Sequence, residues 1–388
     1  MTNEETRSCG ITPFIVMEVL EEAQRLEKAG RHIIHLEIGE PDFDTPQPVK
    51  EAALRALANN DTHYTHSLGK VGLRDEVVAY YKRIYGVDIV PEQVLVTSGT
   101  SPAMLLLFSA LLKQGDGVII SDPYYACYPN FIRYTGGTPV CVGVKEEDGF
   151  KFNKDGIKPM LTDRIRAIMI NSPSNPTGNV FSADELRDLA TLADDNRFLI
   201  SDEIYHGLTY EGKDHSILEF TDRAFVINGF SKKYAMTGWR LGYVIAPLQF
   251  VRKMQILQQN LFISACSFIQ EAGIAALRHC DSHVAEMVAV YDKRRRYMLA
   301  RLNEMGIAPT VPPTGAFYML ANVKEYTNDS YSFAFECLAE AGVAVTPGID
   351  FGSNCEGYIR LSYANSLENI KEGMDRLEKF LQIYDQLS

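Results

Sequence analysis

The stretch Arg166–Tyr205, "RAIMINSPSNPTGNVFSADELRDLATLADDNRFLISDEIY", holds the pattern that decides the fold. Two short apolar runs, "RAIMIN" and "RFLISD", flank one amphipathic segment. Both runs are too uniformly apolar for strands with one face in water, so they suit strands covered by helices on both faces. Between them Ser182 stands three residues before Glu185, a capping-box spacing that predicts a helix beginning at "SADELRDLATLADD". A buried strand, a helix and a second buried strand form the repeating unit of a mostly parallel sheet.

The same texture runs outward from about residue 90 to 250. "QVLVTSG" reads as a strand leading into a helix over Pro102–Lys113, and "GVIIS", "AFVING" and "LGYVIA" are further buried runs. The fold class is therefore α/β. From about Gln249 to Met305 helical patterning takes over, and it includes "DKRRRY", which reads as a solvated helix face. "GAFYML" and "EGYIRLSYA" are predicted strands, and an amphipathic helix is predicted from Leu367 to about Leu387. The first 45 residues have no place in the alternating pattern. The expected division is an N-terminal arm and part of a small domain at 1–45, a large domain at 46–285, and a small C-terminal domain at 286–388.

The chain has 388 residues, 46% of them hydrophobic and 23% charged, which is ordinary for a soluble globular protein with a large core. A formal charge of −12 argues against nucleic acid, whose backbone needs clustered positive charge. Seven cysteines, at 9, 127, 141, 266, 280, 337 and 355, form no C-x-x-C pair, and an odd count fits reduced thiols. The start, "MTNEETRSCG", does not read as a signal peptide. Ala103–Leu112, the most apolar stretch, is about half the length of a membrane span and reads as a buried helix. A cytoplasmic protein with no membrane partner is expected. His279 and His283 flank Cys280 at a ligand-like spacing, but nothing else joins them, so no metal site is assigned. No dinucleotide or P-loop motif is present, and the S-x-x-K match "SLGK" lacks its companion motifs.

In open parallel sheets, ligands gather outside the carboxyl ends of the strands. Four ends stand out here. "QVLVTSG" runs into Gly99-Thr100-Ser101 at a helix start, where free backbone N–H groups make an anion site. "RAIMIN" runs into "SPSNPTG" with Asn175, "RFLISD" ends in Asp202 with Tyr205 three residues on, and "AFVING" runs into Phe230-Ser231-Lys232. Singly, each has a plain explanation: a turn, a helix cap, a surface acid. Their joint order is the signal.

The stretch "NGFSKKYAMTGWRLGY" (Asn228–Tyr243) carries a resemblance. Gly229-Phe230-Ser231-Lys232, with Arg240-Leu241-Gly242 beginning eight residues after the lysine, is similar to the coenzyme attachment site of class I/II pyridoxal-phosphate-dependent aminotransferases, the fold type I, aspartate-aminotransferase-like group. "SNPTG", "DEIY", "IGEPDF", "HYTHSLG" and "IRLSYA" extend the match over nearly the whole chain. The resemblance implies a large domain with a mostly parallel seven-stranded sheet between helices, plus a smaller α+β domain built from N- and C-terminal segments. It implies pyridoxal 5'-phosphate as cofactor, an amino acid and a 2-oxo acid as substrates exchanged in ping-pong half-reactions, and a homodimer with shared sites. Lys232 falls on the Schiff-base lysine, which acts as general base and acid, and Lys233 on a free position. Asp202 would pair with the protonated ring nitrogen, while Tyr205 and Asn175 donate to the ring's phenolic oxygen. Arg240 and the amides of Gly99, Thr100 and Ser101 would hold the phosphate, with Ser231 close by. Tyr125 would stack on the ring, Tyr124 being the lesser choice. Arg360 would take the substrate α-carboxylate, helped by the Gly39 N–H, and Tyr64 would reach a phosphate across the subunit boundary.

Two departures from the family pattern bear on function. Gly229 stands where many relatives carry a phosphate-binding serine. No cation is evident for an acidic substrate, since Ser101 and "LQQNLF" occupy the positions where aspartate aminotransferases carry one. The donor is therefore aspartate, or an apolar or aromatic amino acid received by Phe14, Tyr64, Tyr125 and Phe262. Two alternatives share these residues: a C–S β-lyase of the same fold, and a non-catalytic regulator that binds the cofactor.

Overall fold

The computed structural model describes residues 10–387; Cys9 and the acidic start of the chain lie outside them. A short strand, β1 (Ile34–His35), comes first. It is followed by β2 (Val94–Thr97), β3 (Gly117–Asp122), β4 (Thr138–Gly143) and β5 (Ile165–Asn171), then by β6 (Phe198–Asp202), β7 (Ala224–Gly229) and β8 (Gly242–Ile245). Strands β2 to β8 form one seven-stranded sheet in the order β2-β8-β7-β6-β5-β3-β4. Every pair is parallel except those of β8, which runs against both β2 and β7. Because β8 is reversed, the residues before it arrive at the same edge as the residues that follow β2, β5, β6 and β7.

All residues of β2, β6, β7 and β8 are buried, as expected of strands covered on both faces. Their side chains alternate between two cores: Val94 and Val96 face one, Leu95 the other. β4 is the edge strand; its residues are partly exposed and its run "TPVCVG" is interrupted by proline and glycine. The apolar helix is Thr100–Leu111, starting two residues earlier than expected. Ser182 and Glu185 form the expected capping box of the helix Ala183–Ala190. Among the described residues no helix is long and apolar enough to cross a membrane.

The chain continues with β9 (Tyr318–Asn322), β10 (Val343–Ala344), β11 (Thr346–Pro347) and β12 (Tyr358–Ser362). β11, β12 and β9 form an antiparallel sheet, and β1 pairs in parallel with β10, tying the N-terminal segment to the C-terminal one. The helix Ile15–Lys28 buries Val19, Ala23 and Leu26 against Leu338 and Ala344. Its own residues supply no cap; instead the Ile15 and Val16 N–H groups donate to the Asp350 carboxylate at 3.0 and 3.3 Å.

One expectation is corrected. The cluster "DKRRRY" is not simply a solvated face, because Arg294 and Arg295 are buried. They share a helical stripe with Tyr291, Met298 and Leu302 on Asp281–Glu304, so the helix period turns them inward. Arg294 donates to Asp42 at 2.8 Å, and Arg295 donates to Asp292, Glu211 and the Pro313 carbonyl. Lys293 and Arg296 remain exposed.

At β1, His35 is half-buried between two acids, with Nδ1 2.7 Å from the fully buried Glu37 and Nε2 3.2 Å from Glu27. The hydrogen bond to Glu37 outweighs desolvation and raises the His35 pKa to about 9. A raised folded-state value means the stabilisation is complete below the unfolded value of about 6.5 and fades as pH rises through about 9. His35→Gln should therefore lower the stability of the fold by on the order of 2 kcal/mol near pH 6.5 and by much less at pH 10. Urea unfolding of both proteins across this range checks it; an equal loss at both ends would refute the linkage.

Candidate active site

The carboxyl edge of the large sheet carries a row of facing residues. Thr97 is opposite Gly242, Gly242 opposite Gly229, and Asn171 opposite Asp202. Over this edge lies a cavity of about 320 Å³, closed on its other side by the N-terminal segment and by β12. Among the residues singled out from sequence, Gly39, Thr100, Tyr125 and Asn175 line it, as do Asp202, Tyr205, Lys232 and Arg360.

Lys232 follows β7 and donates through Nζ to the Gly39 carbonyl at 2.5 Å. Burial lowers its pKa to about 8; Glu40 opposes this, while the Arg360 and Arg240 charges add to it. Lys233 takes the opposite course. It is buried away from the cavity, donates to the Tyr80 hydroxyl at 2.7 Å, and sits 4.6 Å from the Tyr80 ring centroid and 5.2 Å from that of Tyr234. The motif leaves this position free, but the fold uses it as an anchor. With adjacent amines drawn to opposite sides, only Lys232 is presented to the cavity.

Asp202, the last residue of β6, is buried, and burial lifts its pKa to about 6. Its Oδ2 accepts from the Tyr128 hydroxyl at 2.7 Å and its Oδ1 from the Ile204 N–H at 3.2 Å. Glu203 points to the other face of the sheet, where Ser216, the Ile217 N–H and Tyr81 donate to it. The Tyr205 hydroxyl lies 2.7 Å from that of Tyr318. Burial raises the pKa of both phenols, so each keeps its proton.

Arg360, in the middle of β12, is buried with its guanidinium 4.5 Å from the Tyr318 ring and 4.9 Å from the Phe351 ring. It donates to Asn175 Oδ1 at 2.9 Å, to Thr346 at 3.1 Å and to the Glu37 carbonyl. Its Nε is buried with no acceptor. Gly39 is fixed by space: a Cβ there would collide with the Tyr318 hydroxyl.

A second group gathers where β2 meets the helix Thr100–Leu111. Gly99 holds φ 97°, and a Cβ on it would stand 2.6 Å from Arg240 Nη2. Arg240 is itself left-handed at φ 54°, with Nη1 donating to the Thr237 carbonyl at 2.8 Å. Ser231 sits half-buried after β7 and Ser101 is exposed; neither lines the cavity. At Gly229 a Cβ would come 3.1 Å from Gly242 Cα and from the Leu241 carbonyl, so the close approach of β7 and β8 favours glycine here.

Tyr64 is 84% exposed, which rules out a buried aromatic within the subunit. Phe14 lines the cavity with its ring edge-on to Tyr125, whereas Phe262 packs against the core of the large sheet instead. His279 ends one helix and His283 lies in the next, so they share no continuous face. Sequence reasoning missed Tyr128 and Tyr318. Tyr128 was hidden among the neighbouring tyrosines of "DPYYACY", and Tyr318 lies in the strand "GAFYML", where nothing local marks a site residue.

Comparison with known proteins shows the family. The family model for aminotransferase class I and II matches residues 31–377. The chain is 43% identical to the (5-formylfuran-3-yl)methyl phosphate transaminase of Methanocaldococcus jannaschii, over 95% of this chain and 96% of that one. It is 40% identical to an aromatic-amino-acid aminotransferase of Thermococcus litoralis, over 96% of each. Its fold overlays the aspartate aminotransferase of Thermus thermophilus solved with maleate, with TM-score 0.91 and 37% identity over 95% of this chain and 97% of that one. The three proteins differ in the substrates they are named for, but all are aminotransferases. The chain belongs to the class I and II aminotransferase family, whose members work with pyridoxal phosphate.

Proposed function

We propose that the protein moves an amino group between an L-amino acid and a 2-oxo acid, with pyridoxal 5'-phosphate held at Lys232. The observation that carries this reading is one amine of lowered pKa sharing a cavity with a buried carboxylate, Asp202, and a buried cation, Arg360. When bound, the coenzyme supplies an electron sink that makes the Cα–H of a substrate amino acid acidic.

Three features of the chain support the fit. The cradle at Gly99 is one that a Cβ would fill, and it brings helix-start amides together with the Arg240 guanidinium, a setting for a phosphate. Asp202 offers a carboxylate to a ring nitrogen, and the Tyr125 ring provides a flat wall. The orphan Nε of Arg360 leaves a buried donor to be satisfied by an anion.

In this reading the amides of Gly99, Thr100 and Ser101 would hold the phosphate with Arg240, Ser231 standing near. Tyr205 and Asn175 donate to the ring oxygen; Asn175 Oδ1 is already engaged by Arg360, which leaves its amide nitrogen as the donor. Arg360 clamps the α-carboxylate, and its stacking between two rings keeps water from competing. Lys232 Nζ takes up the Cα proton, a task its lowered pKa suits. A homodimer completes the site. Thr65 donates to the Ala265 carbonyl at 3.3 Å, so exposed Tyr64 adjoins a stretch where Leu261 and Ile263 are also 54% and 48% exposed. Tyr64 of the partner subunit would reach the phosphate across that surface. The relatives are named transaminases, so the lyase and regulator alternatives are set aside.

The substrate side chain meets Phe14, Val16, Met17, Leu20, Ile38 and Met104. Lys232 and Arg360 are the only lysine or arginine lining the cavity among the described residues, and both are committed. An uncharged aromatic or aliphatic donor fits this wall, whereas a distal carboxylate would be buried without a partner.

Three outcomes test the reading. Borohydride reduction should fix the coenzyme covalently to the wild-type chain and to Lys233→Ala, but not to Lys232→Ala. The Lys233 variant should instead lose about 1–3 kcal/mol of stability, because Tyr80 loses a buried charged partner. A donor screen with 2-oxoglutarate and pyruvate as acceptors should give aromatic or large aliphatic amino acids a kcat/KM at least about tenfold above aspartate; the reverse order would overturn the donor class. Arg360→Ala should raise KM for every donor by on the order of 10- to 100-fold, and an effect confined to one donor would contradict its role.

A further inference from the structure

Asp202 is useful as an ion pair only if it keeps its charge in a site whose burial pushes the proton back onto it. Its neighbours set that balance. Glu203, the next residue after the strand, raises its pKa and His206 beyond it lowers it, while Lys232 faces it across the cavity. Tyr205 and Tyr125 are phenols of raised pKa that do not hydrogen-bond to it. Among the described residues the only side-chain hydrogen bond to Asp202 comes from Tyr128, at 2.7 Å on Oδ2.

Tyr128 is built for this contact. It is buried at the start of the helix Tyr128–Tyr134, and its ring stands edge-on to Tyr125 with centroids 5.3 Å apart. Burial and the Asp202 charge hold its phenol pKa far above the usual value, so the hydroxyl stays protonated and donates to the carboxylate. A fixed donor on one carboxylate oxygen does two things. It favours the ionised form, and it orients the other oxygen, which has only the 3.2 Å bond from the Ile204 N–H.

We infer that Tyr128 is a positioning residue for the reaction: its hydroxyl keeps Asp202 ionised and aimed, so that the proton shared with the coenzyme ring stays on the ring nitrogen. This rests on the reading of Asp202 as the partner of that nitrogen. Without the hydroxyl the carboxylate becomes more basic and draws the proton toward itself, weakening the positive charge on the ring. No other hydroxyl among the described residues is bonded to Asp202 to take its place.

The test uses holoenzyme reconstituted with coenzyme labelled with ¹⁵N in the ring. In wild type the nitrogen resonance should lie in the protonated range. Tyr128→Phe keeps the ring packing and should move the resonance measurably toward the neutral range, while kcat falls on the order of tenfold and donor KM stays within about twofold. A role in packing alone would leave the resonance in place. Tyr128→Met, which also lacks the hydroxyl, repeats the measurement if the phenylalanine variant does not fold. Asp202→Asn separates the two readings. If the resonance moves in Asp202→Asn but not in the Tyr128 variants, the inference is overturned and the reading of Asp202 stands. If it does not move even in Asp202→Asn, the assignment of Asp202 is what fails.

Discussion

One cavity holds two groups that burial drives in opposite senses. The same loss of water that lifts the Asp202 carboxyl to about 6 lowers the Lys232 amine to about 8. Left uncorrected, burial would neutralise both and leave an acid and an amine with little electrostatic character. The rest of the site adjusts that tendency unequally. Asp202 receives two donors that restore its charge, from Tyr128 and the Ile204 N–H. Among the described residues Lys232 hydrogen-bonds only to the Gly39 carbonyl, and two arginine charges add to the burial that holds its pKa at about 8. An ionised acid and an amine able to lose its proton are what a proton transfer at carbon requires.

That arrangement is imposed by the sheet. Parallel strands bring their carboxyl ends to one edge, and the reversal of β8 adds Arg240 to that edge from the opposite direction. The price is local crowding. Gly242 has the Gly99 carbonyl carbon 2.9 Å from where its Cβ would be, Gly229 has Gly242, and Gly99 has Arg240. Three glycines thus meet where two backbones and a guanidinium approach closely. Arg240 adopts a left-handed conformation that non-glycine residues reach only at a cost on the order of 1 kcal/mol. A serine at position 229 would need the pairing of β7 and β8 to give by a few tenths of an ångström, since its Cβ would stand 3.1 Å from Gly242 Cα.

The sequence was most legible where a single element declared itself. Each of the six uniformly apolar runs is a strand, the capping box at Ser182 starts a helix, and the strand ends with unusual residues frame the cavity. What could not be read depends on contacts between distant segments. Strand β4 is half-exposed at a sheet edge and its valines are interrupted by proline and glycine, so the seventh strand followed from resemblance alone. Arg294 and Arg295 look like solvent residues until the phase of their helix, and acids at 42, 211 and 292, are known. Tyr128 is one of three tyrosines in "DPYYACY", and only the register of a helix start against β6 shows which of them meets Asp202. Motifs record chemistry that is local in sequence; the groups that tune it are selected by packing.

This division also separates the chemistry from the choice of substrate. Lys232, Asp202, Tyr205 and Asn175 belong to the large sheet's edge, and Arg360, fixed by Asn175, Thr346 and the Glu37 carbonyl, is proposed to read the α-carboxylate common to all amino acids. None of these can distinguish one side chain from another. The wall that can do so comes largely from Phe14, Val16, Met17 and Leu20, at the start of a helix whose first amides are capped by Asp350, more than 330 residues away. Residues on that helix can change without disturbing the proton-transfer groups, provided the cap and the buried positions Val19, Ala23 and Leu26 hold it in place. Relatives of about 40% identity named for a furan aldehyde phosphate and for aromatic amino acids are consistent with such a design, in which one catalytic edge serves several substrates through an exchangeable wall.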